Sequence, residues 1–148
     1  MNFKIRKAVS EDFEEVYNLI CELVGSPVGS ISYTTLEEIY KTNLLSDNKE
    51  LFVAELSGEV VGFASLTFDI RLSEAGKVAV IDELVVKEKE RNKGIGSALV
   101  QCIVKLAKSN GCCLIEVASN FRRGAAHRFY EKNKFVKNGY RFSFDVFN

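Results

Sequence analysis

The sequence lacks tryptophan, has one proline and one histidine, and carries no net charge, since its acidic and basic residues are equal in number. A neutral chain lacks the basic excess of most nucleic-acid-binding domains, so no nucleic-acid partner is predicted. The four cysteines show no Cys-x-x-Cys spacing, and a single histidine adds little to them, so no metal site is predicted. These absences argue against a nucleic-acid binder and a metalloprotein.

Long apolar runs are also missing, and a transmembrane helix needs about 18 consecutive apolar residues. The N-terminal segment MNFKIRKAVSEDF has no apolar stretch of the kind found in secretory signals. We therefore expect a cytoplasmic protein with no membrane partner. In a reducing compartment the cysteines are expected to be small buried residues rather than disulfide partners, namely Cys21, Cys102, Cys112 and Cys113.

Length and pattern together predict one domain, residues 1–148, of mixed α/β class. A first helix is predicted with Ser10 as its N-cap and Gly25 as its end, and a second after the capping box at Thr35. A long amphipathic helix should begin at Gly96, and another should cover 124–132.

The strands are predicted from apolar runs. A first strand covers 3–8, and two runs around Ser57-Gly58-Glu59 indicate an antiparallel hairpin, followed by a longer turn over 69–77. The strands over 78–86 and 112–118 are joined by one helix, which makes them parallel neighbours. Two further strands are expected to close the chain around Gly139.

The motif Arg91-x-x-Gly94-x-Gly96 stands between a strand and a helix. Glycines let the backbone approach a ligand closely, and the N–H groups at a helix N-terminus favour phosphate. Lys87, Lys89 and Lys93 add positive charge nearby. A Walker loop would need Gly-Lys-Ser/Thr, and a dinucleotide fingerprint would need a small residue where Leu99 stands, so neither of these phosphate loops fits.

Two segments, IDELVVKEKERNKGIGSAL and AAHRFYEKNKF, resemble the GNAT acetyltransferase superfamily, and the resemblance covers nearly the whole chain. Within the superfamily the chain is most similar to aminoalkylphosphonate acetyltransferases. The resemblance implies the acyl-CoA N-acyltransferase fold, a central twisted mixed sheet flanked by about four helices. It also implies acetyl-CoA as co-substrate and leaves a homodimer open.

The resemblance assigns the backbone of residues 84–86 to the pantetheine arm of acetyl-CoA and the N–H groups of residues 92–97 to its pyrophosphate. The expected cofactor-binding residues are Leu84, Val85, Val86, Arg91, Asn92, Lys93, Gly94, Ile95, Gly96, Ser97, Asn120, Arg123, Ala126 and Phe129. Two positions depart from the superfamily pattern: Arg123 stands where asparagine is common, and Lys134 where glycine usually precedes the phenylalanine.

Acetyl transfer to an amine poses two proton problems, because the amine must attack neutral and the thiolate must leave. Tyr130 occupies the superfamily's tyrosine position and is the expected proton donor to the thiolate. Asp82 and Glu83 are the candidate bases, and as strand neighbours they are expected to face opposite sides. Asp82 is preferred because it shares a face with Val80, but Glu83 and a purely structural role stay open.

The sequence thus predicts an N-acetyltransferase acting on the primary amine of a small molecule. Aminoalkylphosphonates, polyamines, aminoglycosides and amino acids all remain open as acceptors. A protein N-terminus or lysine is an alternative acceptor. An acetyl-CoA-binding regulator without turnover is the alternative of another class.

Overall fold

A computed structural model of the chain describes residues 2–119 and 124–147. Its strands are β1 (Phe3–Lys7), β2 (Lys49–Leu56), β3 (Glu59–Arg71), β4 (Gly76–Val86) and β5 (Leu114–Val117). Its α-helices are α1 (Phe13–Val24), α2 (Tyr33–Leu44), α3 (Ile95–Ser109) and α4 (Gly124–Lys132). Contacts within the chain group into two units, Met1–Val117 and Ala118–Asn148.

The first unit is built on one mixed sheet with the strand order β1-β2-β3-β4-β5. Strands β1 to β4 pair antiparallel, whereas β4 and β5 pair parallel. The predicted hairpin and the predicted parallel pair joined by a helix are therefore confirmed.

Helices cover both faces of this sheet. On one face, Phe13, Val16 and Tyr17 of α1 share a buried apolar cluster with Val53 and Phe63 of the sheet. On the other face α3 approaches so closely that a Cβ added to Gly62 would lie 3.3 Å from Leu99 Cδ1 and 3.4 Å from Ile95 Cγ2. A side chain at this position would force its neighbours to shift by a few tenths of an ångström, so glycine suits the close packing of α3.

The pairing of β3 with β4 contains a β-bulge. Ser65 pairs with Glu83 and Leu66 with Ile81, so Asp82 is an extra residue on β4. A bulge breaks the strict alternation of side chains along a strand. It therefore changes the expected directions of the two neighbouring carboxylates.

Two predicted helix starts were wrong by a few residues. Ser10 begins a short 3-10 helix, and Asp12 is the residue that precedes α1. The Asp12 carboxylate accepts hydrogen bonds from Arg6 and from the backbone of Val9, which a cap prediction from local sequence does not include. The N-cap of α2 is Ser32, whose side chain accepts from the Thr35 N–H.

Other boundaries also differ from the prediction. The turn between β3 and β4 is shorter than expected, because β3 continues to Arg71 and β4 begins at Gly76. All four cysteines were expected to be buried, but only Cys21 is. Cys102 and Cys112 are half-buried, and Cys113 is exposed.

The second unit contains α4, at the predicted position. The two closing strands predicted around Gly139 are absent from 133–147, where the described residues form neither helix nor strand. Tyr140, Phe142 and Phe144 do alternate with polar residues, but they are exposed. Alternation favours a strand only where a neighbouring strand supplies the ladder of hydrogen bonds. Among the described residues, no helix has the length and apolar character needed to span a membrane.

Candidate active site

The two acidic side chains of β4 lie on the same face of the sheet. Glu83 accepts a hydrogen bond from Ser65 Oγ, and Asp82 Oδ2 accepts one of 2.5 Å from Thr67 Oγ1. Ser65 and Thr67 are two residues apart on β3 and therefore share a face. The prediction that Asp82 and Glu83 face opposite sides was wrong, because the bulge at Asp82 interrupts the alternation.

Glu83 is the more enclosed of the two acids. Burial raises the pKa of its carboxyl, and the charge of Asp82 adds to that shift, while the hydrogen bond from Ser65 opposes it. Ser65 is itself buried, and its hydroxyl donates to the Glu83 carboxylate. The site thus holds a carboxylate whose proton affinity is greater than that of an ordinary glutamate.

Asp82 belongs to a different hydrogen-bonded arrangement. Lys49 Nζ donates to Thr67 Oγ1 at 2.7 Å, and the Thr67 hydroxyl donates to Asp82 in turn. Lys49 Nζ lies 3.7 Å from Asp82 Oδ2, which makes an ion pair without a direct hydrogen bond. Two carboxylates and one cation therefore converge on the face that α1 and α2 cover.

The backbone between β4 and α3 has the form predicted for a phosphate loop. A short 3-10 helix, Glu88–Glu90, leads into Asn92 and Gly94, which have φ values of +63° and +87°. Gly94 is the N-cap of α3, and its carbonyl accepts from the Ala98 N–H at 3.0 Å. The first N–H groups of α3 therefore have no partner within the helix, as at every helix start.

Arg91, Lys93 and Lys87 of this loop each pair with a carboxylate. Arg91 donates to the carbonyl of Val86 at 2.8 Å and to Glu22 of α1 at 3.0 Å. Lys93 pairs with Glu90, and Lys87 pairs with Glu59. These ion pairs are partly exposed, and they give the three cations partners within the chain.

The second half of β4 extends beyond its parallel neighbour. The last pair between the two strands is Ile81 with Val117, whereas β4 continues to Val86. Leu84, Val85 and Val86 pair with β3 on their other edge. Along that half, none of the described strands pairs with the β5 side of β4.

Tyr130 lies in the second unit, near the end of α4. Its ring packs against Phe129 and Phe135, with ring centroids 5.4 Å and 5.6 Å apart. The helix ends in a Schellman motif, because the Phe135 N–H donates to the Tyr130 carbonyl and the Lys134 N–H to that of Glu131. Lys134 occupies the left-handed position of this motif with φ of +72°.

The remaining predicted residues divide into described and undescribed ones. Ala126 and Phe129 lie on α4, whereas Asn120 and Arg123 lie outside the described residues. Sequence reasoning missed Lys49, Ser65, Thr67 and Glu22, because each joins the site through strand pairing or a long-range ion pair. Within the described ranges, no group of three or more His, Cys, Asp or Glu residues could hold a metal ion.

Comparison with known proteins gives the family. The family model of the acetyltransferase (GNAT) family matches residues 13–135, which include the acidic pair, the loop and α4. The chain belongs to the acetyltransferase (GNAT) family. The predicted enzyme class, an N-acetyltransferase, and the predicted fold class are thereby confirmed.

The similarity of individual relatives to this GNAT chain covers most of its length. It is 35% identical over 140 residues to the aminoalkylphosphonate N-acetyltransferase of Salmonella typhimurium, covering 95% of this chain and 89% of that one. A crystal structure of a transcriptional regulator from Bacillus halodurans is 30% identical, with a TM-score of 0.82 over 97% of this chain and 100% of that one. Glucosamine-6-phosphate N-acetyltransferase from Arabidopsis thaliana shares the fold, with a TM-score of 0.81 at 22% identity over 99% of each chain.

Proposed function

We propose that this GNAT enzyme transfers the acetyl group of acetyl-CoA to the primary amine of a small aminoalkylphosphonate. The observation that carries the proposal is the convergence of Asp82, Glu83 and Lys49 on one face of the sheet, which suits a molecule with one cationic and one anionic group. The similarity to the Salmonella typhimurium aminoalkylphosphonate N-acetyltransferase supports the same acceptor class.

Glu83 is proposed as the base that accepts the proton of the amine. Burial raises the pKa of its carboxyl, and a stronger base removes a proton from an ammonium more readily. Asp82 is already an acceptor for Thr67 and lies beside the Lys49 ammonium, so we assign it to substrate binding. This reverses the preference drawn from the sequence, because the bulge brings both acids to the same face.

Tyr130 is proposed as the acid that gives its proton to the departing CoA thiolate. A phenol with an ordinary pKa near 10 stays protonated at neutral pH and can donate. The resemblance of the segment AAHRFYEKNKF to the superfamily supports the assignment, because Tyr130 occupies the superfamily's tyrosine position in it. The ring of Tyr130 makes edge contacts with Phe129 and Phe135.

Acetyl-CoA is proposed to bind along the second half of β4 and at the start of α3. The edge of Leu84–Val86 extends past the last β5 pair, and the pantetheine amides would pair with it. The N–H groups from Asn92 to Ser97 would hold the pyrophosphate. A Cβ added to Gly94 would meet no atom within 4 Å, so this loop is open to a ligand.

The test is steady-state acetyl-CoA turnover with thiol detection over aminoalkylphosphonates, polyamines, aminoglycosides, amino acids and peptides with free N-termini. We expect turnover on aminoalkylphosphonates and a kcat lower by roughly a hundredfold in Tyr130→Phe, with unchanged acetyl-CoA affinity. Tyr140→Phe is the matched control, since Tyr140 lies in the same unit and is exposed.

Other outcomes would contradict parts of the proposal. Turnover restricted to peptides would replace the small acceptor with a protein. Acetyl-CoA binding with no turnover on any amine would favour a regulator, the class to which the Bacillus halodurans relative is ascribed. Equal activity of Tyr130→Phe and Tyr140→Phe would remove Tyr130 from the acid role.

A further inference from the structure

We propose that Lys49 is the residue that selects the anionic group of the acceptor, and that it restricts the acceptor to short zwitterions. The inference rests on the proposed function, because it concerns the acceptor site of the same reaction. Lys49 is the first residue of β2 and pairs with Thr67 of β3, which places it across β3 from the acidic pair.

The hydrogen bonds of Lys49 leave it able to bind a ligand. An ammonium has three N–H donors. Among the described residues, Lys49 Nζ donates only to Thr67 Oγ1, at 2.7 Å, and the Asp82 carboxylate at 3.7 Å is beyond hydrogen-bond distance. Its side chain is 29% exposed, so a phosphonate oxygen could reach Nζ from solvent without displacing a buried group.

Thr67 holds the cation and the carboxylate at a fixed separation. Its hydroxyl accepts from Lys49 and donates to Asp82, which orients both charged groups through one side chain. The hydroxyl has one proton, and this arrangement commits that proton to Asp82. The distance between the positive and negative parts of the site is therefore set by the Thr67 hydroxyl, which hydrogen-bonds to both charged side chains.

That separation favours a short acceptor. With Nζ 3.7 Å from Asp82 Oδ2, an ammonium on the acidic pair and an anion on Lys49 would lie only a few ångströms apart. Two methylenes between an amine and a phosphonate place nitrogen and phosphorus about 4 Å apart in an extended chain. A long spacer would have to fold back on itself, which costs conformational entropy.

Charge balance favours a zwitterion over the simpler ligands. A plain anion would gain the attraction of Lys49 but would be repelled by Asp82 and Glu83 within the same few ångströms. A plain amine would gain the carboxylates but would meet the like charge of Lys49. Only a molecule that carries both charges satisfies both halves of the site.

The test compares wild type, Lys49→Met, Lys49→Arg and Lys41→Met on 2-aminoethylphosphonate, its six-methylene homologue and ethanolamine. Lys49→Met should raise KM for 2-aminoethylphosphonate roughly tenfold or more and leave its kcat within threefold. The same variant should leave kcat/KM for ethanolamine unchanged or higher, and Lys49→Arg should restore most of the lost affinity. Lys41→Met is the charge-matched control, since Lys41 is an exposed residue of α2 paired with Glu37.

Binding of 2-aminoethylphosphonate in the presence of CoA, followed by calorimetry, separates this inference from the proposed function. If wild type shows no turnover but binds, and Lys49→Met weakens binding roughly tenfold, Lys49 selects the anion although the proposed reaction is wrong. If Lys49→Met lowers kcat/KM equally for 2-aminoethylphosphonate and ethanolamine, Lys49 only positions Asp82, and the inference is overturned. Absence of binding to wild type, or tighter binding of the six-methylene homologue, would overturn it as well.

Discussion

At the scale of single residues, Glu83 is the proposed base, and its surroundings make its pKa higher than that of a free glutamate side chain. Its carboxyl is half-buried beside a second carboxylate, and burial raises its pKa. A base works only when deprotonated, so kcat/KM should rise with pH through this raised pKa and then level off. Glu83→Gln should lower kcat/KM roughly a hundredfold and abolish this acidic limb.

The pH dependence of kcat/KM in Glu83→Gln and Asp82→Asn tests which of the two acids is the base. Asp82→Asn is the matched control, and it should keep the acidic limb while raising KM for the acceptor. A limb that disappears in Asp82→Asn and persists in Glu83→Gln would exchange the roles of the two acids. A wild-type profile that keeps rising toward the pKa of the acceptor amine, about 10 for an alkylamine, would mean that the amine reaches the site already deprotonated.

Asp12 shows the opposite shift for a structural reason. Burial raises the pKa of Asp12, but hydrogen bonds from Arg6 and from the Val9 N–H outweigh it and hold the pKa below its usual range. Arg6 donates to both carboxylate oxygens at 2.8 Å. The pair ties β1 to the turn that precedes α1.

We expect Asp12→Asn to lower the free energy of unfolding by about 2 kcal/mol at neutral pH, because Arg6 loses a charged partner. A depressed folded-state pKa stabilises above the unfolded-state pKa, and that contribution is lost as pH falls through the folded-state value. The variant should therefore differ most from wild type near neutral pH and converge with it in acid. Urea unfolding from pH 3 to 7 measures this, with exposed Glu11→Gln as the control.

At the scale of elements, the end of α4 carries a strained residue. Lys134 adopts φ of +72° at the position of the Schellman motif where glycine is favoured. A side chain in the left-handed region costs roughly 1 kcal/mol or more. Lysine at position 134, in place of the superfamily's glycine, therefore destabilises the C-terminal end of the helix that carries Tyr130.

Lys134→Gly should stabilise the chain by about 1 kcal/mol, or raise Tm by about 2–4 °C, because glycine removes the strain. Lys137→Gly is the control, since Lys137 lies just beyond the motif without a positive φ. Thermal unfolding of both variants decides the point. Equal shifts, or a lower Tm for Lys134→Gly, would show that the left-handed conformation carries no net cost.

Elements with a strong local signal were predictable from sequence, whereas the details of the site were not. The apolar periodicity of α3 and the short pattern of α4 placed both helices correctly. The bulge at Asp82 depends on how β3 and β4 align, and alternation within β4 alone cannot reveal it. The hydrogen bond from Lys49 to Thr67 depends on the same alignment of distant segments.

The predicted phosphate loop shows the same difference between local signals and contacts with distant segments. The spacing of Gly94 and Gly96 predicts a phosphate loop, and the structure places Gly94 at the N-cap of α3 and Gly96 in its first turn. Arg91 was predicted to bind the cofactor, but its ion pair with Glu22 was not predicted, because Glu22 lies on α1, far away in sequence. The two closing strands predicted around Gly139 are absent from 133–147, where no described strand lies beside the alternating residues.

At the scale of the whole molecule, we propose that residues 1–148 form one domain. Contacts group into Met1–Val117 and Ala118–Asn148, and the second unit is shorter than the length of about 40 residues below which chains seldom fold unaided. It also lacks disulfides and a metal cluster among its described residues. We therefore expect its order to depend on folding of the rest of the chain.

Calorimetry on the full chain should show a single transition whose van't Hoff and calorimetric enthalpies agree. Acetyl-CoA at a hundred times its Kd should stabilise the folded state by about 2.7 kcal/mol and raise Tm by roughly 5–10 °C without splitting the transition. At the same acetyl-CoA concentration Gly94→Ala should reduce that increase, because relief of the alanine's strain at φ of +87° would shift the N–H groups proposed to hold the pyrophosphate and weaken binding. Two resolved transitions, with only the larger one shifted by acetyl-CoA, would mean that Ala118–Asn148 folds as a separate unit and that Tyr130 lies outside the ligand-stabilised part.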